Sequence, residues 1–205
     1  MNLKDDFELV ALNIPSPKFS DNHCSSDIFG GGIDVWLEKP KYLLRTIESC
    51  QAGEYFIYSD IDIIYFKPII PTLKYILNET NKDVLFLREI PAGLVPWQGG
   101  DIAGNCNFGF CVIKSCNKTK RFFRDVLAMI ESTRLMDQIV VNKILFGSPN
   151  YDLNWGVLPI EFTTTSFIHT SQINKQSLMF HAICVIDQQE KLNLLNYANS
   201  LSKLY

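Results

Sequence analysis

Apolar and polar residues alternate along this chain in two kinds of pattern. Short runs rich in β-branched and aromatic residues, at 7–12, 55–58, 84–87 and 108–113, predict buried strands. Between them the apolar positions take a helical spacing. One helix is predicted from near Glu38, with Pro40 in its first turn, Leu43, Leu44 and Ile47 as its apolar stripe and Gly53 as its stop. Others are predicted around 72–78, over 120–132 with Phe123, Val126, Leu127 and Ile130 inward, and over 136–146. The last quarter is less regular, with short strand candidates at 157–160 and 179–183. Strands alternating with helices predict an α/β domain with a mainly parallel, Rossmann-like sheet flanked by helices. Two long segments lack periodicity. The first, 15–32, is rich in Ser, Asp, Asn and Gly; the second, 88–104, holds Pro91, Gly93, Pro96, Trp97, Gly99 and Gly100. Structureless stretches of that length inside a compact domain are usually functional.

A length of 205 residues suits a single domain over 1–205, and 47% apolar residues supply a sizeable core. The formal charge of −3 speaks against a nucleic-acid partner, which needs a basic face. Apolar runs are too short for a transmembrane segment, and acids at Asp5 and Asp6 interrupt the start where a signal peptide would be apolar. The expected compartment is therefore cytoplasmic. Six cysteines without a CxxC pair then read as free thiols rather than a zinc site.

The chemistry concentrates in Asp60 and Asp62. Carboxylates at i and i+2 project to the same side of an extended segment. These two end an apolar strand, where open α/β sheets bind their ligands. Two such close anions call for a cation between them, and hard oxygen donors suit Mg²⁺ or Mn²⁺ bridging to phosphates. The bland alternative is a turn triplet. A second alternative is a phosphatase of the haloacid dehalogenase type, whose first Asp is a nucleophile. Its motif, however, lies near a domain start with Thr or Val where Ile64 stands, and its later acidic pair has no counterpart here.

The segment YFIYSDIDIIYFKPI resembles the central motif of nucleotide-diphospho-sugar transferases of GT-A fold. CNFGFCVIKS (106–115) is similar to that family's Asn-x-Gly strand, MDQIVVNKIL (136–145) to its Asp-Gln helix, and MFHAICV with Lys191 to its carboxy-terminal His and Lys. In family order they span about 35–195. The resemblance implies that Asp62 and His181 coordinate Mn²⁺ or Mg²⁺, and that Asp60 touches the metal or the donor's ribose and sugar. Asn107 and Gly109 would line the sugar pocket. Asp137 and Gln138 would face sugar or acceptor, Lys191 the diphosphate, and Lys39 is a further donor contact. Phe7 to Leu12 resembles the family's second strand, which implies a pocket for the nucleotide base that is shortened or rebuilt from elsewhere.

Each residue also has a plainer reading. His181 among apolar neighbours suits a hydrogen-bonded core histidine. Gly109 suits a bulge, and Asp137 a helix amino terminus favoured by the dipole. Trp97, in the Gly/Pro-rich loop, is a candidate stacking platform for an acceptor sugar. Asp101, Asp137 and Glu161 are candidates for a base at the acceptor hydroxyl. Together these readings imply a metal-dependent glycosyltransferase, with a UDP-sugar ahead of a GDP-sugar as donor and a glycan or glycoprotein as acceptor. A sugar- or metal-binding module without turnover is the non-enzymatic alternative.

Overall fold

In the computed structural model, which describes residues 32–88, 106–147, 151–162, 164–165, 173–183, 185 and 187–203, helix α1 runs from Gly32 to Ser49. It starts ahead of the Glu38 expected from sequence, so Pro40 lies inside the helix and not in its first turn. Proline at that place removes one amide donor to the preceding turn. Burial of Pro40 itself and of Leu43 and Ile47 against the core offsets that loss. Gly53, expected to stop the helix, sits in the turn beyond it at φ +90°, where its N–H reaches the Ser115 carbonyl at 2.8 Å.

The chain continues through β1 (Tyr55–Ser59), β2 (Ile63–Tyr65), α2 (Ile70–Thr80), β3 (Val84–Arg88), β4 (Cys106–Lys114), α3 (Asn117–Thr133) and α4 (Asp137–Gly147). There follow β5 (Trp155–Val157), a 3₁₀ turn (Ile160–Phe162), β6 (Thr164–Thr165), β7 (Met179–His181) and α5 (Gln188–Ser202). Pro71 opens α2, and Asn81 closes it at φ 44°. Helix α3 begins ahead of the expected Lys120, because the Cys116 N–H donates to Thr119 Oγ1 at 3.2 Å in a capping box. The strand expected at 157–160 lies earlier, as β5, and gives way to the 3₁₀ turn.

Four strands form the larger sheet in the order β1-β4-β3-β5. β3 and β5 pair in parallel, and β4 runs antiparallel to both β1 and β3. Three of the four strands thus share a direction, with β4 reversed between two of them. β1, expected at the centre, takes an outer position among the described strands, and all five of its residues are half-buried. A smaller sheet has the order β2-β7-β6.

Alternation along the strands builds two cores. On one face Val84, Phe86, Phe108, Cys111 and Ile113 pack with α1, α3 and α4 through Ile47, Phe122, Phe123, Val126 and Val140. On the other, Leu85, Leu87, Phe110 and Val112 pack with Leu73 and Leu77 of α2 and with Met179 of β7. Burying each such side chain is worth about 1.5–3 kcal/mol. Phe122 takes a fully buried place on α3, whereas Leu127, expected inward, is half-buried.

The alternation breaks once. Phe108 and Cys111 share a face although they stand three positions apart, so β4 must hold an irregularity between them. The β3–β4 pairing accordingly jumps from Phe86↔Cys111 to Leu87↔Asn107, while Ser59↔Phe110 ends the β1 ladder. A bulge of this kind re-aims a short segment out of the sheet.

Helix α4 is fastened to β4 through Asn142. Its side-chain amide donates to the Cys106 carbonyl at 2.8 Å and accepts from the Cys106 N–H at 3.2 Å. Asn142→Leu keeps the branched shape, with two bulkier methyl groups in place of the amide, and removes both contacts. It is expected to cost about 1–3 kcal/mol of stability, read as a lowered denaturation midpoint in urea; an unchanged midpoint would contradict this role for Asn142.

Candidate functional site

Strand parity brings the first carboxylate into place. Phe56 and Tyr58 of β1 pack toward α1 and α3, whereas Tyr55 and Ile57 pack toward α2. Asp60 continues the side of Tyr58, and its N–H donates to the Gly109 carbonyl at 2.7 Å, inside the β4 bulge. The chain then turns through Ile61 into β2. There Ile63 pairs with His181, and Asp62 accepts from the Ala182 N–H at 3.0 Å. The ladder between β2 and β7 therefore sets an imidazole from late in the chain beside the carboxylate pair.

His181 Nε2 lies 3.2 Å from Asp62 Oδ1 and 3.9 Å from Asp60 Oδ2. One ligand atom from each of Asp60, Asp62 and His181 falls within 4.8 Å of the other two. Despite the proximity of Nε2, Asp62 Oδ1 is buried without a directed hydrogen bond among the described residues, and so is His181 Nδ1. Gly109 faces the same point. A Cβ there would lie 2.1 Å from His181 Cε1 and 2.9 Å from Asp60 Oδ2. Only glycine leaves this space open. Two carboxylates and one imidazole, with Asp62 Oδ1 and His181 Nδ1 lacking hydrogen-bond partners among the described residues, fit a divalent cation such as Mn²⁺ or Mg²⁺.

Two lysines surround the acidic cluster. Lys39 of α1 places its ammonium 3.3 Å from Asp60 Oδ1, 3.4 Å from Asp137 Oδ2 and 3.3 Å from the Phe108 carbonyl. The rings of Tyr58 and Phe108 flank it at 5.2 and 4.9 Å. Burial works against its charge, yet Asp137 and Asp60 outweigh that and hold its pKa well above the usual lysine value. Asp137, at the start of α4, is only 8% exposed. Burial pushes its carboxyl up despite the attraction of Lys39.

On the far side, Lys191 of α5 meets Asp62 Oδ2 at 2.7 Å. Burial would raise the Asp62 carboxyl, but His181 and Lys191 together hold it well below the usual carboxylate range. Asp187 caps α5 by accepting from the Glu190 N–H at 2.8 Å, and so fixes the turn that presents Lys191.

The fold thus gathers Lys39, Asp60, Asp62, Gly109, Asp137, His181 and Lys191. Asn107 lies beside them, buried, with its side-chain oxygen accepting from the Gly109 N–H at 2.9 Å. Gln138 accepts from the Phe108 N–H at 3.2 Å, tying α4 to the bulge. Glu161 is on the 3₁₀ turn, where its carbonyl accepts from the Leu178 N–H. Trp97 and Asp101 lie outside the described residues, as does the strand expected at 7–12. Sequence reasoning passed over Tyr58, whose hydroxyl donates to Asp60 Oδ1. Its i, i+2 spacing to Asp60 on a strand was the available signal.

A sequence profile of the nucleotide-diphospho-sugar transferases matches residues 35–195. No curated protein matches the sequence. Among solved structures, the chain is similar to a glycosyltransferase involved in glycosylation of the major capsid of PBCV-1. Identity is 14% over 80% of this chain and 77% of that one, with a TM-score of 0.57. It also aligns with the galactosyltransferase LgtC, solved with donor and acceptor sugar analogues, at 13% identity, 84% and 72% coverage and a TM-score of 0.49. The first shows a shared GT-A-type fold.

The space in front of Gly109 yields a sharp expectation. Gly109→Ala drives a methyl group against a buried imidazole and one carboxylate. The variant should fold but bind Mn²⁺ at least about tenfold more weakly, as disturbed metal surroundings usually do. Titration followed by the Mn²⁺ paramagnetic signal checks this, and an unchanged affinity would separate Gly109 from the cluster.

Proposed function

The chain belongs to the nucleotide-diphospho-sugar transferase family, and from that premise we propose that it moves a sugar from a nucleotide-diphosphate donor to an acceptor hydroxyl, using a divalent cation held by Asp60, Asp62 and His181. The observation that carries this reading is the convergence of those three side chains on the space left open by Gly109. Mn²⁺ or Mg²⁺ bound there supplies positive charge for the departing diphosphate. A UDP-sugar is the favoured donor ahead of a GDP-sugar, and the acceptor is a glycan or glycoprotein. The family membership removes the reason for a phosphatase reading of Asp60 as a nucleophile.

The chain's own residues divide the remaining work. Lys191 meets Asp62 Oδ2, the oxygen other than the one beside His181, and is within reach of a diphosphate's negative charge once it leaves Asp62. Asn107, buried with its side-chain oxygen engaged by Gly109, lines the sugar pocket. Asp137 and Gln138, at the start of α4, face the sugar or the acceptor. Lys39, first considered a donor contact, has three oxygens around its ammonium. It holds Asp60 and Asp137 in place beside the donor contact that the resemblance implies. Asp101 and Trp97 keep their assignments as acceptor-side base and stacking platform. Asp137 is the second candidate base, since burial raises its carboxyl.

Asp62→Asn tests the reading. The amide is nearly isosteric but is a poor ligand for a hard cation. With a panel of UDP- and GDP-sugars and Mn²⁺, turnover should fall by about 10²-fold or more, while circular dichroism stays that of the parent. Chelation of the metal in the parent protein should have the same effect. Equal turnover with EDTA and with Mn²⁺ would overturn the proposal, and donor binding without turnover would favour a binding module.

A further inference from the structure

The two oxygens of Asp60 face different surroundings. Oδ2 points to the open space, 3.9 Å from His181 Nε2 and within contact distance of a Cβ at position 109. Oδ1 points the other way, accepting from the Tyr58 hydroxyl and lying 3.3 Å from Lys39 Nζ. The backbone of Asp60 is fixed on both sides. Its N–H donates to the Gly109 carbonyl at 2.7 Å, and its carbonyl accepts from Ser59 Oγ at 3.0 Å. Ser59 Oγ in turn accepts from the Tyr65 hydroxyl at 2.7 Å. What remains free is rotation of the carboxylate about its own axis.

The two partners of Oδ1 restrain that rotation unequally. Lys39 holds the carboxylate as a point charge shared with Asp137 and the Phe108 carbonyl, an attraction with little directional demand on the oxygen it meets. Tyr58 is directional, because its single hydroxyl rides on a rigid ring. That ring is half-buried against Phe108, with centroids 6.3 Å apart.

We infer that Tyr58 is a positioning residue that confines Asp60 to one-oxygen coordination and thereby sets the size of cation the site prefers. The inference rests on the metal reading above. A carboxylate held to one oxygen suits the compact octahedral shell of Mg²⁺ or Mn²⁺. A carboxylate free to turn presents both oxygens, the mode that the larger and more flexible Ca²⁺ shell accepts. The Tyr58 hydroxyl acts on the site through Asp60.

Tyr58→Phe removes the hydroxyl and keeps the ring against Phe108 and Lys39. Binding of Mn²⁺ in the presence of UDP is followed by the signal of the free ion, with Mg²⁺ and Ca²⁺ as competitors, for the parent, Tyr58→Phe and Asp62→Asn. In Tyr58→Phe the ratio of Ca²⁺ to Mg²⁺ affinity should rise about tenfold, the scale of one hydrogen bond to a charged group. A merely structural tyrosine would weaken all three ions alike, leaving the ratio unmoved, and that result overturns the inference. Should Tyr58→Phe lose its fold by circular dichroism, 3-fluorotyrosine at position 58, a stronger donor, replaces it. The ratio must then fall, and an unmoved ratio again overturns the inference. Failure of the underlying metal reading looks different: Asp62→Asn would bind Mn²⁺ as well as the parent does.

Discussion

Crowding of negative charge is the constraint around which this domain is arranged. Asp60, Asp62 and Asp137 are brought together where water is scarce, and like charges at that spacing are tolerable only with cations among them. Lys39 supplies one from α1 and Lys191 another from α5, near opposite ends of the described chain. Each lysine therefore does structural work, joining elements that the sheet alone would not hold in register. The charge count still favours one more cation beside Asp62 Oδ1 and His181.

The geometry that permits this comes from a single irregularity. On the β1 side the register runs on undisturbed past Ser59↔Phe110, so that the Asp60 N–H meets the Gly109 carbonyl. On the β3 side the pairing skips from Phe86↔Cys111 to Leu87↔Asn107, the Gly109 N–H turns to Asn107, and the missing side chain leaves an unobstructed surface to His181. Asn142 and Gln138 then lock α4 against the flanks of that bulge, which carries Asp137 toward Lys39. Core packing and site geometry are in this sense one arrangement, since Phe108 both stacks on Phe123 and shields the Lys39 ammonium.

Much of this was legible in sequence because it rests on local pattern. The run at 55–58 ending in two aspartates and the Asn-x-Gly strand carried their own signals, as did the helix opening with Asp137. Elements decided by tertiary contact were not legible. The start of α1 lies among glycines before Glu38, where propensity predicts no helix. β2 and β6 are too short for a period, and α5 has only a small buried face, around Ala198. The outer place of β1 and the reversal of β4 are matters of pairing, which a buried apolar run does not encode. His181 was found through its order in a resembling family. Its physical reason, the β2–β7 ladder, needed three dimensions.

The account turns on one claim, that Asp60, Asp62 and His181 hold a divalent cation together. Electron–nuclear double resonance on the protein loaded with Mn²⁺ and UDP reads this without reference to turnover. A hyperfine coupling from one imidazole nitrogen is expected in the parent and should vanish in His181→Ala while Mn²⁺ remains bound more weakly. A parent spectrum with no nitrogen coupling, or a coupling that survives the substitution, would contradict the account.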